Sequence, residues 1–466
     1  MAFCRGRSGE TAWERVRRMT DTRDLTEGVI WKKLLLFFLP IAVGTVFQQL
    51  YNAVDAVIVG KFVGTQALAA VGGSPAVLTN VIIGFFVALT GGASVVIAQQ
   101  YGARNHETVA RATSTALIFA ALLGVLLGAA LCMAAPFLLR LLKTPADTLA
   151  DAVTYLKIYA LGSPFILIFN MGCGIERSVG NSRRPLLYSV ICCFVNIAAD
   201  LLFVVVWHFG VAGVAYATVL TEGVSVLLVC RDLLRTKDSY RLDLHRLSFS
   251  PLLLKPMMRI GIPAGAESAL YGVSNMILQA GINTLGTVVV ASWALSGKLD
   301  ALYWALINAF GAALTSFVGQ NYGAGKRERI RATTKTGFIM ALGGTVVLSG
   351  LIMLLARPLL GLFTDDAEVC AVSYRIMTYF VPIYFTWTAI EVLSAVLRGV
   401  GDALVPVAII AVGVCALRIV WVYTVFRVYP TLFVLSMSYP VSWVVTDAAL
   451  FLYYKRWSLL SRRKTA

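Results

Sequence analysis

Apolar residues in this chain neither alternate nor mark one stripe of a helix; they run on without a break. Twelve such runs follow one another, at about residues 34–59, 67–97, 112–138, 151–175, 185–207, 210–230, 260–285, 287–316, 336–356, 371–397, 404–426 and 432–454. A helix of about 20 such residues crosses a hydrocarbon core of about 30 Å. A membrane β-barrel would show short strands of alternating polarity instead. The pattern therefore predicts an all-α integral membrane protein with twelve transmembrane helices. Gly, Ser and charged residues interrupt the second, seventh and eighth runs, whose ends are the least sharply marked.

The phrases between the runs come twice. Gln99-Gln100-Tyr101-Gly102-Ala103 returns as Gln320-Asn321-Tyr322-Gly323-Ala324. Arg177-Ser178-Val179-Gly180, followed by Pro185, returns as Arg398-Gly399-Val400-Gly401, followed by Pro406. Residues 99 and 320, 101 and 322, 177 and 398, and 185 and 406 each differ by 221. Six spans per half is an even number, so both halves enter the membrane in one orientation. That is a parallel repeat about an axis along the membrane normal, an arrangement found in secondary transporters. The chain then divides into an N-terminal segment 1–33, an amino lobe 34–230, a linker 231–259, a carboxyl lobe 260–454 and a basic tail 455–466. Residues 1–33 are expected on the membrane surface or mobile, without a cleavable signal peptide. The linker is expected to lie along the surface as an amphipathic segment, and the Tyr-Gly-Ala phrases read as helix-ending turns.

Composition and charge sharpen this picture. Of the 466 residues 58% are apolar and 14% charged, against about 25% charged in soluble domains. The net charge of +16 would suit nucleic acid, but its distribution decides otherwise. With the N-terminus placed inside, inward segments hold 31 of the 40 Lys and Arg residues. Outward segments hold 6 (Lys61, Arg140, Lys143, Arg357, Arg375 and Arg427), and Lys157, Lys298 and Arg418 fall within spans. This is the positive-inside rule. It predicts a multi-pass protein of the cytoplasmic membrane with both termini in the cytoplasm and no nucleic-acid partner. The eight cysteines lack metal-type spacing and read as small packing residues. Gly323-Ala324-Gly325-Lys326 resembles only the end of a P-loop and follows a helix, so no ATP site is expected. With three histidines, all near span ends or in loops, and no nucleophile–base or metal cluster in the spans, the chain does not read as an enzyme. Transport driven by an ion gradient, with no cofactor, remains.

The candidate chemistry lies in the first and fifth runs. Helical spacing puts Gln48, Asn52 and Asp55 on one face, with Tyr51 beside them. A carboxylate in an apolar span costs about 3 kcal/mol and faces a cavity in most cases; the alternative is that Asp55 caps the helix at the outer interface. Pro40 removes a backbone hydrogen bond and is a natural bend point. In the fifth run Asn196 and Asp200, four apart, share a face. If that face meets Asp55, two poorly solvated carboxylates gain proton affinity. Such a pair could hold H⁺ or Na⁺ and release it when a cationic solute arrives, which is the physical basis of an antiporter.

At these residues the chain resembles the MATE (multidrug and toxic compound extrusion) family, in the DinF-like bacterial branch of the MOP flippase superfamily. The resemblance covers nearly the whole length. Pro40, Tyr51 and Asp55, Asn170 in the fourth run, Asn196 and Asp200 in the fifth and Thr218 in the sixth match the family's amino-lobe cation site. The resemblance implies two six-helix lobes forming a V, alternating access, and export of organic, cationic and amphipathic compounds in exchange for H⁺ or Na⁺. Na⁺ would sit at Asp55, Asn196 and Asp200, with Tyr51, Asn170 and Thr218 supplying further ligands and hydrogen bonds. The chain is expected to act as a monomer in the lipid bilayer.

The carboxyl half departs from the NorM-type pattern. Glu267 and Glu391 occupy the seventh and tenth runs but not that pattern's usual turns. Together with Lys298, Asp300 and Arg418 they form a possible polar cluster, pairing inside the lobe or lining the central cleft. Tyr303 and Trp304 beside them could stack on a planar cation or pack in the core. A lipid-linked oligosaccharide flippase of the same superfamily is the alternative, but such proteins carry extra helices or a cationic groove. Offsets of 221 and 223 land Asn196 on Leu417, Asp200 on Trp421, Thr218 on Tyr439 and Asp55 on Leu278. The ion chemistry is thus expected in the first lobe alone.

Overall fold

The computed structural model describes residues 24–142, 144–364 and 366–456. The basic residues of 1–23 and the tail 457–466 lie outside the described residues. Twelve helical spans are present among them. They are Ile30–Val63, Thr65–Gly72 with Ser74–Gly102, His106–Leu141, Ala146–Leu161 with Ser163–Ser178, Arg183–Val206, Gly210–Arg235, Pro251–Asn283, Thr287–Gly323, Arg327–Gly361, Ala367–Gly399, Leu404–Phe426 and Leu432–Arg456. Ten are long and apolar enough to cross a bilayer singly, and the fourth becomes an eleventh if its two halves, bent by 47°, count together. The seventh carries Lys255, Arg259 and Glu267, yet its 33 residues make a rod of about 50 Å.

The duplication is written into the backbone. Six of the nine left-handed residues among those described fall in pairs: Arg104 (φ 58°) with Gly325 (71°), Gly180 (82°) with Gly401 (88°), and Gly64 (109°) with Gly286 (98°). The fourth span breaks at Gly162 before Pro164, and the tenth passes through a short 3₁₀ turn, Val381–Ile383, containing Pro382. The fifth span becomes π-helical at Leu201–Val206 and the eleventh at Val422–Phe426. The proline changes position between the halves while the break stays.

The two repeated phrases prove to be one device. Gln99 of the first lobe donates through Nε2 to the Gly399 carbonyl of the second, 2.9 Å away. Gln320 of the second donates through Nε2 to the Ser178 carbonyl of the first, at 2.7 Å. Each Gln-x-Tyr-Gly-Ala phrase thus clasps the Arg-x-Val-Gly phrase of the opposite half. Gly102 rests against the Gln320 backbone and Gly323 against that of Gln99, so close that a Cβ on either would collide with the facing carbonyl. This clasp sits at the basic end of the bundle. The N-terminal residues add to it, and the expectation of a surface-lying segment fails at residues 24–29. Leu25 is fully buried, its N–H donates to Gln320 Oε1 at 3.1 Å, and its carbonyl accepts from Asn321 at 3.2 Å. Lys326 and Arg329 bond the carbonyls of Thr26 and Gly28 at 3.0 and 2.8 Å.

The entry helix of each half packs partly on the opposite lobe. Leu34, Phe37 and Ile41 of the first span belong to the core of the second lobe, and Met257 and Ile260 of the seventh to the core of the first. Beyond Pro40 the first span returns to its own lobe, Gly44 lying against Leu186 of the fifth. The seventh stays against the second span past Pro263, as far as Gly272 beside Val81, before Leu278 and Ile282 join second-lobe residues. Pro40 stands where the first span crosses between lobes. The linker, too, is anchored: Tyr240 and Leu242 are buried in the first-lobe core, and the Ser250 N–H donates to Thr115 Oγ1 at 3.1 Å.

The seams flanking the clasp differ. The second and seventh spans touch backbone to backbone through Gly92, Gly261 and Gly265, and a Cβ on Gly265 would lie 2.9 Å from the Phe85 carbonyl. Small residues at helix interfaces permit such approach in membranes. The repeat places Phe38, Ala42 and Gln49 at the first-span positions matching Gly261, Gly265 and Gly272. There Phe38 meets Phe310 edge-on at 5.3 Å, and Val46, Leu50 and Val57 farther along are exposed. One seam is zipped and the other splays. Replacing Gly261 by Leu should therefore lower the melting temperature of the detergent-solubilised protein, since overpacking costs about 1–3 kcal/mol. Gly343→Leu, at a glycine with nothing within 4 Å, should leave it unchanged.

Candidate functional site

The first lobe brings together a set of buried acceptors that have no hydrogen-bond partner. Asp200 is fully buried and Asn196, one turn earlier, is 1% exposed. Both carboxylate oxygens of Asp200, Oδ1 of Asn196 and Oδ1 of Asp55 are buried without a hydrogen-bond partner. Asp55 is the charged neighbour of Asp200, and Tyr155 of the fourth span lies within electrostatic reach of both. π-helical turns follow both acids, Val59–Val63 after Asp55 and Leu201–Val206 directly after Asp200. Such turns leave the regular ladder and often mark functional sites. Four orphaned acceptor oxygens around two carboxylates are the donor set a hard cation or a proton would complete.

The other expected residues take different places. Tyr51 bonds Gln48 and neighbours Tyr159, Cys192 and Glu222, so Glu222 belongs to a second group of polar side chains in this lobe. Asn170 donates to the Ile166 carbonyl at 2.8 Å and borders both the central chamber and a cavity of about 60 Å³ beside Pro40. The Thr218 hydroxyl bonds the Val214 carbonyl of its own helix at 3.0 Å. Asn52 is exposed, 3.5 Å from Gln49. Tyr155 escaped the sequence reading, and Glu222 of the sixth span carried no assigned role there. Tyr155 and Tyr159, stacked at 5.9 Å, are one helical turn apart, which is the signal that points to them.

The second lobe encloses most of a chamber of about 830 Å³, bordered by Glu267, Asp300, Glu391, Arg398 and Arg418, with Arg177 reaching it from the first lobe. Lys298 is absent from it: exposed, with its ammonium 5.0 Å from the Phe363 ring. Arg398 pairs with Glu391 at 3.1 Å, two turns away on one helix face, and Gly311 leaves the space Glu391 fills. Tyr384 donates to Asp300. Arg418, 2% exposed, sits on a single α-turn between two π-helical segments, Ala411–Ala416 and Val422–Phe426. Its guanidinium lies 4.0 Å from the Tyr439 ring centroid. Tyr303 is a core residue, stacked on Tyr384 at 4.0 Å, whereas Trp304 borders the chamber.

A sequence profile of the MatE family matches residues 40–202 and again 263–424, once in each lobe. The chain belongs to the MATE family. The "Probable multidrug resistance protein YoeA" of Bacillus subtilis is 25% identical over 93% of this chain and 95% of its own length. The multidrug export protein MepA of Staphylococcus aureus is 21% identical over 75% of this chain and 77% of its own. A MOP superfamily transporter from Pyrococcus furiosus, described as having a binding pocket of reverse polarity, superposes with a TM-score of 0.88. Its identity is 25%, over 96% of this chain and 100% of that one. The chain is thus a multi-pass membrane protein of a transporter family, with relatives named for multidrug resistance and export.

The Glu391–Arg398 pair gives a direct test of the chamber's internal bonding. Removing one member of a buried pair costs about 3–5 kcal/mol. Arg398→Met should therefore lower thermal stability in detergent sharply. Adding Glu391→Gln should recover part of the loss, a non-additivity of about 1 kcal/mol or more.

Proposed function

We propose that this MATE transporter exports amphipathic organic solutes in exchange for H⁺ or Na⁺, with its basic end facing the cytoplasm of the cell membrane. The observation that carries the reading is the acceptor cluster of Asp55, Asn196 and Asp200, whose buried oxygens have no partner in the protein. Two carboxylates held that way are costly while bare and favourable when a cation or proton enters. Occupancy discharges the first lobe, and a conformation that packs the discharged site better is then populated. Pro40 is the mechanical link. The first span is held by second-lobe residues before it and first-lobe residues after it, so a change near Asp55 pulls on the point where the helix crosses. Alternating access requires the clasp of Gln99 and Gln320 to open in one state and close in the other.

Asp55→Asn and Asp200→Asn keep size and remove charge. In proteoliposomes each should reduce gradient-driven efflux of a dye cation to the level of protein-free vesicles. Imposing ΔpH and ΔNa⁺ separately on the wild type identifies the coupling ion. Efflux that stays gradient-coupled in both variants would overturn the assignment.

A further inference from the structure

The acids of the chamber have partners inside the protein, while two of its cations, Arg177 and Arg418, have no carboxylate within 4.0 Å among the described residues. Glu391 holds Arg398 at 3.1 Å, Asp300 accepts from Tyr384, and Glu267 has Arg398 as its charged neighbour. Arg418 has no carboxylate within 4.0 Å among the described residues; the ion pairs there are Arg184–Asp232, Arg331–Glu328 and Arg398–Glu391. Its Nε donates to Ser442 Oγ at 3.2 Å and its guanidinium lies 4.0 Å from the Tyr439 ring centroid; the residue borders the chamber, and its two terminal nitrogens have no hydrogen bond among the described residues. A guanidinium buried in a membrane protein calls for an anionic partner. Tyr271 and Trp387 border the same chamber, and the hydroxyl of the one and the indole N–H of the other are buried without a hydrogen-bond partner. The two rings meet edge-on at 5.7 Å, and Trp304 packs on Trp387 at 5.0 Å.

We propose that the second-lobe chamber is a binding site for flat aromatic carboxylates, with Arg418 gripping the carboxylate and Trp387 and Tyr271 donating to it. The rings of Trp304 and Trp387, set edge-on at 69°, supply an apolar corner against which a flat ring can rest. The chamber's volume of about 830 Å³ lies within the range of small-molecule sites. This extends the transport reading, on which it rests, from cationic solutes to a class of opposite charge. The first lobe gathers orphaned acceptors for the coupling cation; the second gathers orphaned donors for the cargo.

The test is equilibrium binding to the full chain in nanodiscs, by calorimetry with empty-nanodisc subtraction and no ion gradient. A failure of ion coupling therefore leaves this measurement untouched. The probes are 1-naphthoate, its neutral isostere 1-naphthamide and 1-naphthylmethylammonium. Wild type should bind naphthoate about tenfold or more tighter than naphthamide, as expected for a charge-assisted bidentate contact. Arg418→Gln should erase that preference without changing naphthamide affinity, and Arg418→Lys should keep part of it. Should Arg418→Gln fail to fold, Trp387→Phe and Tyr271→Phe carry the test, each weakening naphthoate several-fold more than naphthamide. Equal affinities in the wild type, tightest binding of the ammonium probe, or a carboxylate preference that survives in the variants would overturn the proposal.

Discussion

Two glutamine side chains bonded to carbonyls across a pseudo-twofold axis hold the basic end of this molecule together. The geometry leaves little freedom. Gly102 and Gly323 lie on the facing backbones, so the clasp forms only with glycine at both positions. Because Gln320 also accepts the Leu25 N–H, the chain preceding the first span is fixed by the same residue that joins the lobes. From this fixed end the first span crosses between lobes at Pro40, and the seventh crosses beyond Gly272. The glycine-lined seam continues the contact on one side of the axis, and on the other Phe38 and Phe310 replace backbone contact with an edge-on ring pair.

Duplication kept that frame and let the chemistry diverge. Residues 221 apart put Glu222 opposite Trp443, Thr218 opposite Tyr439 and Asp200 opposite Trp421. Acceptors in one lobe face aromatic rings at the same positions in the other. Arg418 lies one residue beyond Leu417, the counterpart of Asn196, so the eleventh span carries a cation one position from where the fifth carries its acceptor pair. A fixed frame with two differently lined lobes permits ion and solute to be handled by separate surfaces, joined mechanically through the clasp and the crossing helices.

Much of this was legible in the residues and the rest for stated reasons was not. Apolar runs gave all twelve spans because the bilayer leaves few other ways to bury them. The acid pair stood out because charge in a span is rare, and the repeat stood out because turn residues tolerate little change. The meaning of the repeat was hidden: a glutamine ahead of a turn reads as solvated until the other half is placed against it. Gly261-Ile262-Pro263-Ala264-Gly265 offered a small-residue signal for the zipped seam. Pairings such as Arg398 with Glu391, and the exclusion of Lys298 from the chamber, depend on helix rotation within a lobe, which apolar spans do not encode because nearly every face is apolar. π-helical segments on both sides of Arg418 rotate that face further, so spacing counted at 3.6 residues per turn does not fix its direction.

The claim that the clasp governs the two-lobe frame is tested most directly by pulsed electron–electron resonance between spin labels. Glu107 and Glu328, exposed at the basic end and 221 residues apart, are suited to the labels. Two hydrogen bonds to carbonyls contribute about 2 kcal/mol together, roughly a thirtyfold bias between closed and open ends. With wild-type glutamines the distance distribution should be dominated by one short population. Gln99→Ala with Gln320→Ala should move a large share of molecules to longer distances at this end. A distribution unchanged by the double substitution would contradict the account.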